Sequence, residues 1–284
     1  MKLHYTDEEV ECWRDRVHRR TPRLSIRTRK QALDFVNRVG FCFAFQASHS
    51  ELPCLWHAVC GRREPAMPRH SHRDPTVSFV WEMKRSLPAE RLLFYGRVLK
   101  NRPTLVSLDM FTHFYALAQR TGSRDDYLRM FRAGTLSPMA KAIMDALMDS
   151  SPQVTRGLKL AVGRHGNRER NEFDRAMTEL QMKMYIVKTA EHDDPFTFEW
   201  DLVPRVFPRQ VRRARRVSLH DARVAILEQY FHNQLVGTVG SVSRLFRWDR
   251  QTIFQTLGTL VNHGVVTSDV TVNGSRSGAY CLIA

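Results

Sequence analysis

The C-terminal part of the chain carries the pattern that most restricts its fold, three helical stretches followed by two strands. Thr238 and Asp249 stand where N-caps are favoured, and Gly264 ends the last helical stretch. The predicted elements are helices over 219–236, 239–246 and 250–263 and strands over 265–272 and 279–283. Three helices and a β-hairpin in this order are the plan of a winged helix, a helix-turn-helix variant. Its third helix commonly enters the major groove of DNA.

The same order of elements can be traced upstream, over residues 137–203. Ser137 followed by Pro138 is a favoured helix start, and the apolar residues from Phe173 to Leu180 recur with the spacing of one helical face. The predicted elements are helices over 137–148, 153–162 and 168–183 and strands over 184–189 and 196–202. We therefore predict two winged helices in series.

Residues 1–136 show a less complete version of the pattern. The predicted elements are helices over 28–38, 50–61, 88–101 and 109–121, a strand or buried helix end over 41–45, and a strand over 104–108. We interpret this region as a diverged third winged helix, with an insertion over 62–76 and an incomplete hairpin. The predicted fold class is α+β, mainly helical, with tandem winged helices. The predicted divisions are 1–136, 137–204, a basic linker over 205–217, and 218–284.

The net charge of the chain indicates the class of molecule that it binds. The 284 residues include 44 Lys and Arg against 29 Asp and Glu, which gives a net charge of +15. A protein so basic most often binds a polyanion, although an arginine-rich genome produces the same excess. Together with winged helices, the charge favours double-stranded DNA as the partner.

The composition also limits which cellular location and which cysteine or metal chemistry we expect for the protein. No apolar run approaches the length of a membrane span, and the N-terminus lacks the apolar core of a signal peptide, so we expect a cytoplasmic protein. The five cysteines include no C-x-x-C pair and are expected to be free. His70, His72 and Asp74 lack a second ligand pair, which favours an exposed basic loop over a metal site. We expect no metal and no cofactor, and take a monomer as the working hypothesis.

The segment 205–216 is dense in arginine and free of acidic residues. Its arginines are Arg205, Arg209, Arg212, Arg213, Arg215 and Arg216. Pro204 and Pro208 are expected to keep its beginning extended. Because guanidinium groups match phosphate oxygens, we favour contact with DNA phosphates over a solvated linker.

The third helices of the two predicted winged helices supply further candidate DNA contacts. These are Arg168 and Arg175 in the middle of the chain and Arg250, Gln251 and Gln255 near its end. Arginine binds phosphates, and glutamine can read adenine edges. Winged helices also bind proteins, so a protein-interaction scaffold is a further alternative.

Two stretches in the middle of the chain resemble a known family. The first is Phe173-Asp174-Arg175-Ala176-Met177-Thr178-Glu179-Leu180-Gln181, which runs into Tyr185-Ile186-Val187, and the second is Phe196-Thr197-Phe198-Glu199-Trp200-Asp201-Leu202-Val203-Pro204. They are similar to the YcaQ/AlkZ group of tandem winged-helix DNA glycosylases and their relatives. The resemblance covers mainly residues 137–284. It implies three winged helices around a channel for duplex DNA, and excision of alkylated bases, crosslinked ones included.

The catalytic motif of that family is Gln-x-Gln or Gln-x-Asp in its first winged helix. Gln46 is the matching candidate here, with Ser48 where the second polar residue is expected. Such a side chain orients a water against C1′ while the cationic base leaves. His49 and Glu51 follow closely and could act on that water. The alternative interpretation of Gln46 is a polar residue that ends a strand.

Two classes of function stay open from the sequence. One is a DNA repair glycosylase that hydrolyses the N-glycosidic bond of alkylated or crosslinked bases. The other is a non-catalytic DNA-binding regulator or architectural protein. Release of a damaged base from duplex DNA distinguishes the two.

Overall fold

The computed structural model describes residues 3–45, 52–69, 73–163, 167–273 and 278–283. The chain begins with strand β1 (Leu3–Tyr5) and helix α1 (Asp7–Val17). Thr6 caps α1 in a capping box with Glu9, which satisfies backbone donors at both positions. A short 3-10 turn, Pro22–Leu24, then leads into the first repeat.

The first repeat contains three helices and a three-stranded sheet. Its elements are α2 (Arg29–Val39), β2 (Phe41–Phe43), α3 (Leu55–Cys60), α4 (Pro75–Ala89), β3 (Leu93–Leu99) and β4 (Arg102–Ser107). The strands lie in the order β2-β4-β3. Thr28 caps α2 in a capping box with Gln31, and α2 corresponds to the helix predicted over 28–38. The hairpin of this repeat is complete, and the prediction that it is incomplete was wrong.

The predicted helix over 88–101 was also wrong. The helix before the hairpin is α4, because Asp74 accepts hydrogen bonds from the backbone N–H groups of Thr76 and Val77 while Pro75 suits the first turn. The chain from Leu93 onward pairs with β4 instead, and Leu93 and the next residue are fully buried by that pairing. Local helix propensity over 88–101 is therefore overridden by sheet formation.

The second repeat follows two connecting helices, α5 (Leu108–Leu117) and α6 (Asp126–Arg132). Its elements are α7 (Pro138–Asp149), β5 (Gln153–Val154), α8 (Thr155–Ala161), α9 (Asn167–Met182), β6 (Ile186–Asp193) and β7 (Phe196–Leu202). The sheet order, β5-β7-β6, repeats the relative order of the first sheet. Ser137 caps α7 and Pro138 lies in its first turn, as predicted.

The basic segment after β7 is helical. Pro204 and Pro208 lie in the first turns of α10 (Val203–Val206) and α11 (Pro208–Ala214). The prediction that they keep the segment extended was wrong, because proline has the φ of a helix and its missing N–H is not needed in the first turn. Val211 and Ala214 are buried on the side of α11 that faces α5.

The third repeat closes the chain. Its elements are α12 (Leu219–Gln234), β8 (Val236–Thr238), α13 (Val239–Phe246), α14 (Arg250–Asn262), β9 (Val266–Thr267), β10 (Val270–Val272) and β11 (Ala279–Leu282). The sheet order β8-β11-β9 is again the same, and β10 pairs in parallel with β1. Thr238 and Asp249 cap α13 and α14, as predicted. The predicted fold class, α+β and mainly helical with tandem winged helices, is confirmed.

The first and third repeats share a hydrophobic core. The ring of Phe41 lies 5.5 Å from that of Phe114 and 6.1 Å from that of Phe246, measured between centroids. The second repeat has its own core, which includes Phe173 and Leu180. The divisions after residues 136, 204 and 217 stay predictions. Within the described ranges, no helix has the length and apolar character needed to cross a membrane.

Candidate functional site

The predicted catalytic residues Gln46, His49 and Glu51 lie outside the described residues. The chain leads into their segment from Phe45, whose ring centroid is 5.3 Å from that of Trp81 on α4. The Trp81 side chain is 47% exposed although it belongs to a packed helix. Phe45, the last described residue before Gln46, therefore packs beside α4 against a ring that is open to solvent.

A cavity of about 480 Å³ lies between the first and second repeats. The first repeat contributes α4 and β3 to its wall, and the second contributes α8, α9, β6 and β7. Side chains that give the wall its chemistry are Lys84, Tyr95, Arg97, Asp174, Lys188 and Trp200. Its volume is that of a small-molecule pocket, and aromatic rings and amines line it together.

Two buried lysines, one from each repeat, point to unusual electrostatics. Lys84 on α4 is 7% exposed and Lys188 on β6 is 9% exposed. Lys188 donates a hydrogen bond to the Glu191 carboxylate, whereas the Lys84 Nζ lies 3.9 Å from that carboxylate. Lys84 Nζ sits 3.6 Å from the centroid of the Trp81 ring. Lysine is almost never buried unless it is paired, so two lysines that share one carboxylate are a site to explain.

Burial is the main reason why the pKa of Lys84 falls to about 8. The nearby Lys188 cation lowers this pKa further, and the Glu191 carboxylate opposes both effects. Burial also lowers the pKa of Lys188, against its hydrogen bond to Glu191. Desolvation raises the pKa of Tyr95, so its hydroxyl stays neutral. Near neutral pH, Lys84 is therefore mostly protonated, but its free-amine fraction is much larger than that of an ordinary lysine.

The part of the cavity wall formed by β7 is held by hydrogen bonds. The Trp200 indole N–H donates to the Thr155 hydroxyl at 2.9 Å, and that hydroxyl donates to the carbonyl of Phe198 at 3.1 Å. Phe198 in turn packs edge-on against Trp200, with ring centroids 6.1 Å apart. These contacts fix the aromatic rings of β7 in the cavity wall.

The six arginines of the basic segment are all exposed. Arg205 donates to Ser151 at 2.9 Å and lies 3.5 Å from Asp201, and Arg213 pairs with Asp109 at 2.9 Å. For the others, Arg209, Arg212, Arg215 and Arg216, the described part of the chain places no carboxylate within ion-pair distance. Because α11 is anchored through its apolar side, it presents these guanidinium groups to solvent from a fixed backbone.

The other predicted DNA contacts lie on two separate helices. Arg175 is exposed on α9, and the side chain of Arg168 is outside the described part of that helix. Arg250, Gln251 and Gln255 are exposed on α14, where Asp249 serves as the cap and accepts from the Thr252 N–H at 2.8 Å.

A protein-family model described as "AlkZ related" matches residues 26–231. The chain belongs to the AlkZ-related family. Among solved structures it is similar to the Streptomyces sahachiroi DNA glycosylase AlkZ, with 16% sequence identity, a TM-score of 0.61, and coverage of 99% of this chain and 70% of that one. No curated protein matches the sequence significantly.

The AlkZ-related match contains the whole of the cavity and the basic segment. It begins before α2, runs through both repeats that form the cavity wall, and ends within α12. The candidate site therefore lies in the part of the chain that defines membership of the AlkZ-related family.

Lys84, Tyr95 and Lys188 are the residues of this AlkZ-related site that the sequence analysis missed. A signal for Lys84 exists, since Val77, Val80, Lys84 and Leu87 fall at the spacing of one helical face and all four are buried. A lysine on an apolar face is detectable only when the helix is placed correctly, and the helix had been predicted too late in the chain.

Proposed function

We propose that the protein binds double-stranded DNA and hydrolyses the N-glycosidic bond of alkylated bases, crosslinked bases included. Membership of the AlkZ-related family over residues 26–231 carries this proposal. The similar structure from Streptomyces sahachiroi is a DNA glycosylase, and the likeness extends over 99% of this chain. We further propose that it acts as a cytoplasmic monomer.

The basic segment supports the DNA-binding half of the proposal. Arg212, Arg215 and Arg216 are exposed and lie on or next to a helix anchored by buried Val211 and Ala214. Each guanidinium that neutralises a phosphate releases counterions, so these residues would supply salt-dependent, sequence-independent affinity. Arg175 on α9 and Arg250, Gln251 and Gln255 on α14 are proposed as further contacts.

The catalytic half rests on Gln46. In the proposed reaction its amide orients a water toward C1′, while the positively charged base departs without needing prior protonation. His49 or Glu51 would take the proton from that water. The Phe45 ring packs against Trp81 of α4 and so anchors the chain immediately before Gln46.

Ser48 favours a second candidate function. A serine stands where the family motif has its second glutamine or an aspartate. A protein with the fold and the basic surface but an incomplete motif would bind DNA without excising a base, as a regulator or an architectural factor.

Single-turnover base release decides between the two functions. The substrate is duplex DNA with one N7-methylguanine, and binding to the same undamaged duplex is measured alongside. We expect release above the spontaneous rate, and a loss of about 10²-fold or more in Gln46→Ala if that residue positions the water. Asn37→Ala, an exposed change on α2, is the matched control and should release base at the parent rate.

Two outcomes would contradict parts of this assignment. A Gln46→Ala protein as fast as the parent would remove Gln46 from the chemistry. Tight binding of the duplex without base release from this or from a crosslinked substrate would establish the non-catalytic alternative.

A further inference from the structure

The Lys84 amine is weakly paired for a buried ammonium, because it shares one carboxylate with Lys188 at a longer distance. In the described ranges its Nζ donates no hydrogen bond, and the nearest carboxylate, Glu191, is 3.9 Å away and already bound to Lys188. The side chain is more than nine-tenths buried, yet it lines the cavity between the repeats. An amine in that position faces whatever enters the cavity.

Lys84 lies close to Phe45, the last described residue before the segment proposed to release the base. The Phe45 and Trp81 ring centroids are 5.3 Å apart, and the Lys84 Nζ lies 3.6 Å from the Trp81 centroid. The amine and the residue that precedes Gln46 therefore contact the same aromatic ring. The volume of about 480 Å³ accommodates a deoxyribose, and the rings of Tyr95 and Trp200 offer it apolar walls.

The charges around the cavity do not select a cationic base as its occupant. When Lys84 is a free amine, the cations of Lys188 and Arg97 are balanced by the carboxylates of Glu191 and Asp174. The sugar left after the base has gone is neutral and carries an aldehyde in its ring-opened form, which an amine attacks.

We propose that Lys84 is a nucleophile that captures the abasic-site aldehyde as an imine and promotes cleavage of the DNA strand on its 3′ side. The proposal rests on the proposed function only in that base release would supply the abasic site. It adds strand cleavage at the C3′–O bond, which depends on Lys84, to base release at the N-glycosidic bond, which depends on Gln46.

The reaction balances without an added reactant. The Lys84 Nζ forms a bond to C1′ of the open-chain sugar, and one water leaves as the C=N bond forms. The iminium acidifies C2′, whose proton passes to water while the C3′–O bond breaks and the 3′ phosphate departs with the electron pair. Water then hydrolyses the conjugated imine, which restores the amine and frees an unsaturated aldehyde on the upstream strand.

The electrostatics around Lys84 suit this role. Schiff-base lysines are activated by desolvation and by a neighbouring cation, and Lys84 has both in its burial and in Lys188. Glu191 on the same strand as Lys188 and the face of the Trp81 ring act in the opposite direction, because both favour the ammonium. Tyr95, from β3, stays neutral and adds no charge. The pKa of about 8 that results leaves enough free amine for attack near neutral pH.

Borohydride trapping on a preformed abasic site tests the proposal. The probe is a duplex in which a uracil has been removed beforehand, so the result does not depend on whether this protein releases any base. We expect a covalent protein–DNA adduct that maps by mass spectrometry to the α4 peptide, and strand cleavage without borohydride. Lys84→Met should lose both, whereas Lys100→Met, at an exposed lysine in the β3–β4 turn, should retain both.

The pH profile separates a nucleophile from a structural lysine. Adduct formation should rise as the pH passes about 8 in the parent protein. Lys188→Met removes the neighbouring cation and frees Glu191, so the rise should move to higher pH. Thermal unfolding of each variant shows whether it is folded, and Lys84→Arg provides a second test, because it keeps the charge but cannot form the imine.

Two results would overturn the inference. They are no adduct in the parent, or adducts that map to exposed lysines and survive Lys84→Met. If the parent forms no adduct and Lys84→Met also loses duplex affinity, Lys84 binds a phosphate as a cation. Base release with no lyase activity would leave the proposed glycosylase intact, and lyase activity with no base release would remove the glycosylase alone.

Discussion

At the residue scale, buried ionisable groups set how the fold responds to pH. His18 is 1% exposed, and its Nε2 lies 2.9 Å from the Asn233 carbonyl. Burial holds the pKa of His18 well below its usual range, with help from Arg20, and the hydrogen bond only partly offsets this. His57 behaves in the same way, since burial lowers its pKa to about 4.

These histidines predict acid sensitivity. Both are neutral in the folded state and protonate near pH 6.5 when unfolded, so the unfolded state binds more protons below that pH. Their contribution to stability is complete above pH 6.5 and is lost as the pH falls, by up to about 1.4 kcal/mol per pH unit for each group. Unfolding temperature measured from pH 8 down to pH 5 should therefore fall.

Two variants check the assignment. His18→Gln should reduce the dependence of unfolding temperature on pH, whatever it does to stability at pH 8. His263→Gln changes an exposed histidine after α14 and should leave that dependence unchanged. Equal slopes in parent and His18→Gln would show that His18 does not drive the acid response.

At the element scale, α11 and the residues at its C-terminal end hold the arginines of the basic segment at the protein surface. Helix formation places Val211 and Ala214 inside and the arginines outside. An extended linker with the same residues would hold them in no fixed arrangement. The salt dependence of DNA affinity measures how many of these arginines meet phosphates.

Arg212→Ala with Arg216→Ala should flatten that dependence. If both contact phosphates, the slope of log K against log salt should fall in magnitude by about 1.8 for duplex DNA. The control is Arg129→Ala with Lys141→Ala, which removes the same charge from residues already paired with Asp126 and Asp145. An unchanged slope in the first variant would exclude both arginines from the interface.

At the scale of the whole molecule, the repeats are joined unequally. The first and third share a core through Phe41, Phe114 and Phe246, while the second is built around Phe173 and its neighbours. The cavity lies between the first and second repeats, where Val187 of β6 also belongs to the core that the first and third repeats share. A substitution in one core should therefore destabilise a different part of the chain from a substitution in the other core.

Hydrogen exchange on two matched variants tests this organisation. Phe41→Ala and Phe173→Ala remove the same side chain from fully buried sites, at a cost of about 3–5 kcal/mol each. Phe41→Ala should weaken amide protection in the first and third repeats together. Phe173→Ala should weaken it mainly over α7 to β7, and loss of protection throughout the chain in both variants would contradict separate cores.

The sequence by itself determined the elements whose signals are local. Caps at Thr28, Ser137, Thr238 and Asp249 and apolar spacing along α9 and α14 were enough for the fold class, because caps and helical faces depend on residues a few positions apart. The exposed arginines of the basic segment were also readable in this way. Prediction from the sequence was wrong where strand pairing overrides local helix propensity, as it does in β3.

The tertiary structure alone decided where the chemistry is concentrated. Lys84 and Lys188 belong to different repeats, and no local feature of the sequence connects one with the other. Their meeting at one carboxylate depends on how α4 packs against β6, which no local signal encodes. Burial lowers the pKa of an amine only after that packing exists, so the candidate nucleophile is a property of the assembled repeats.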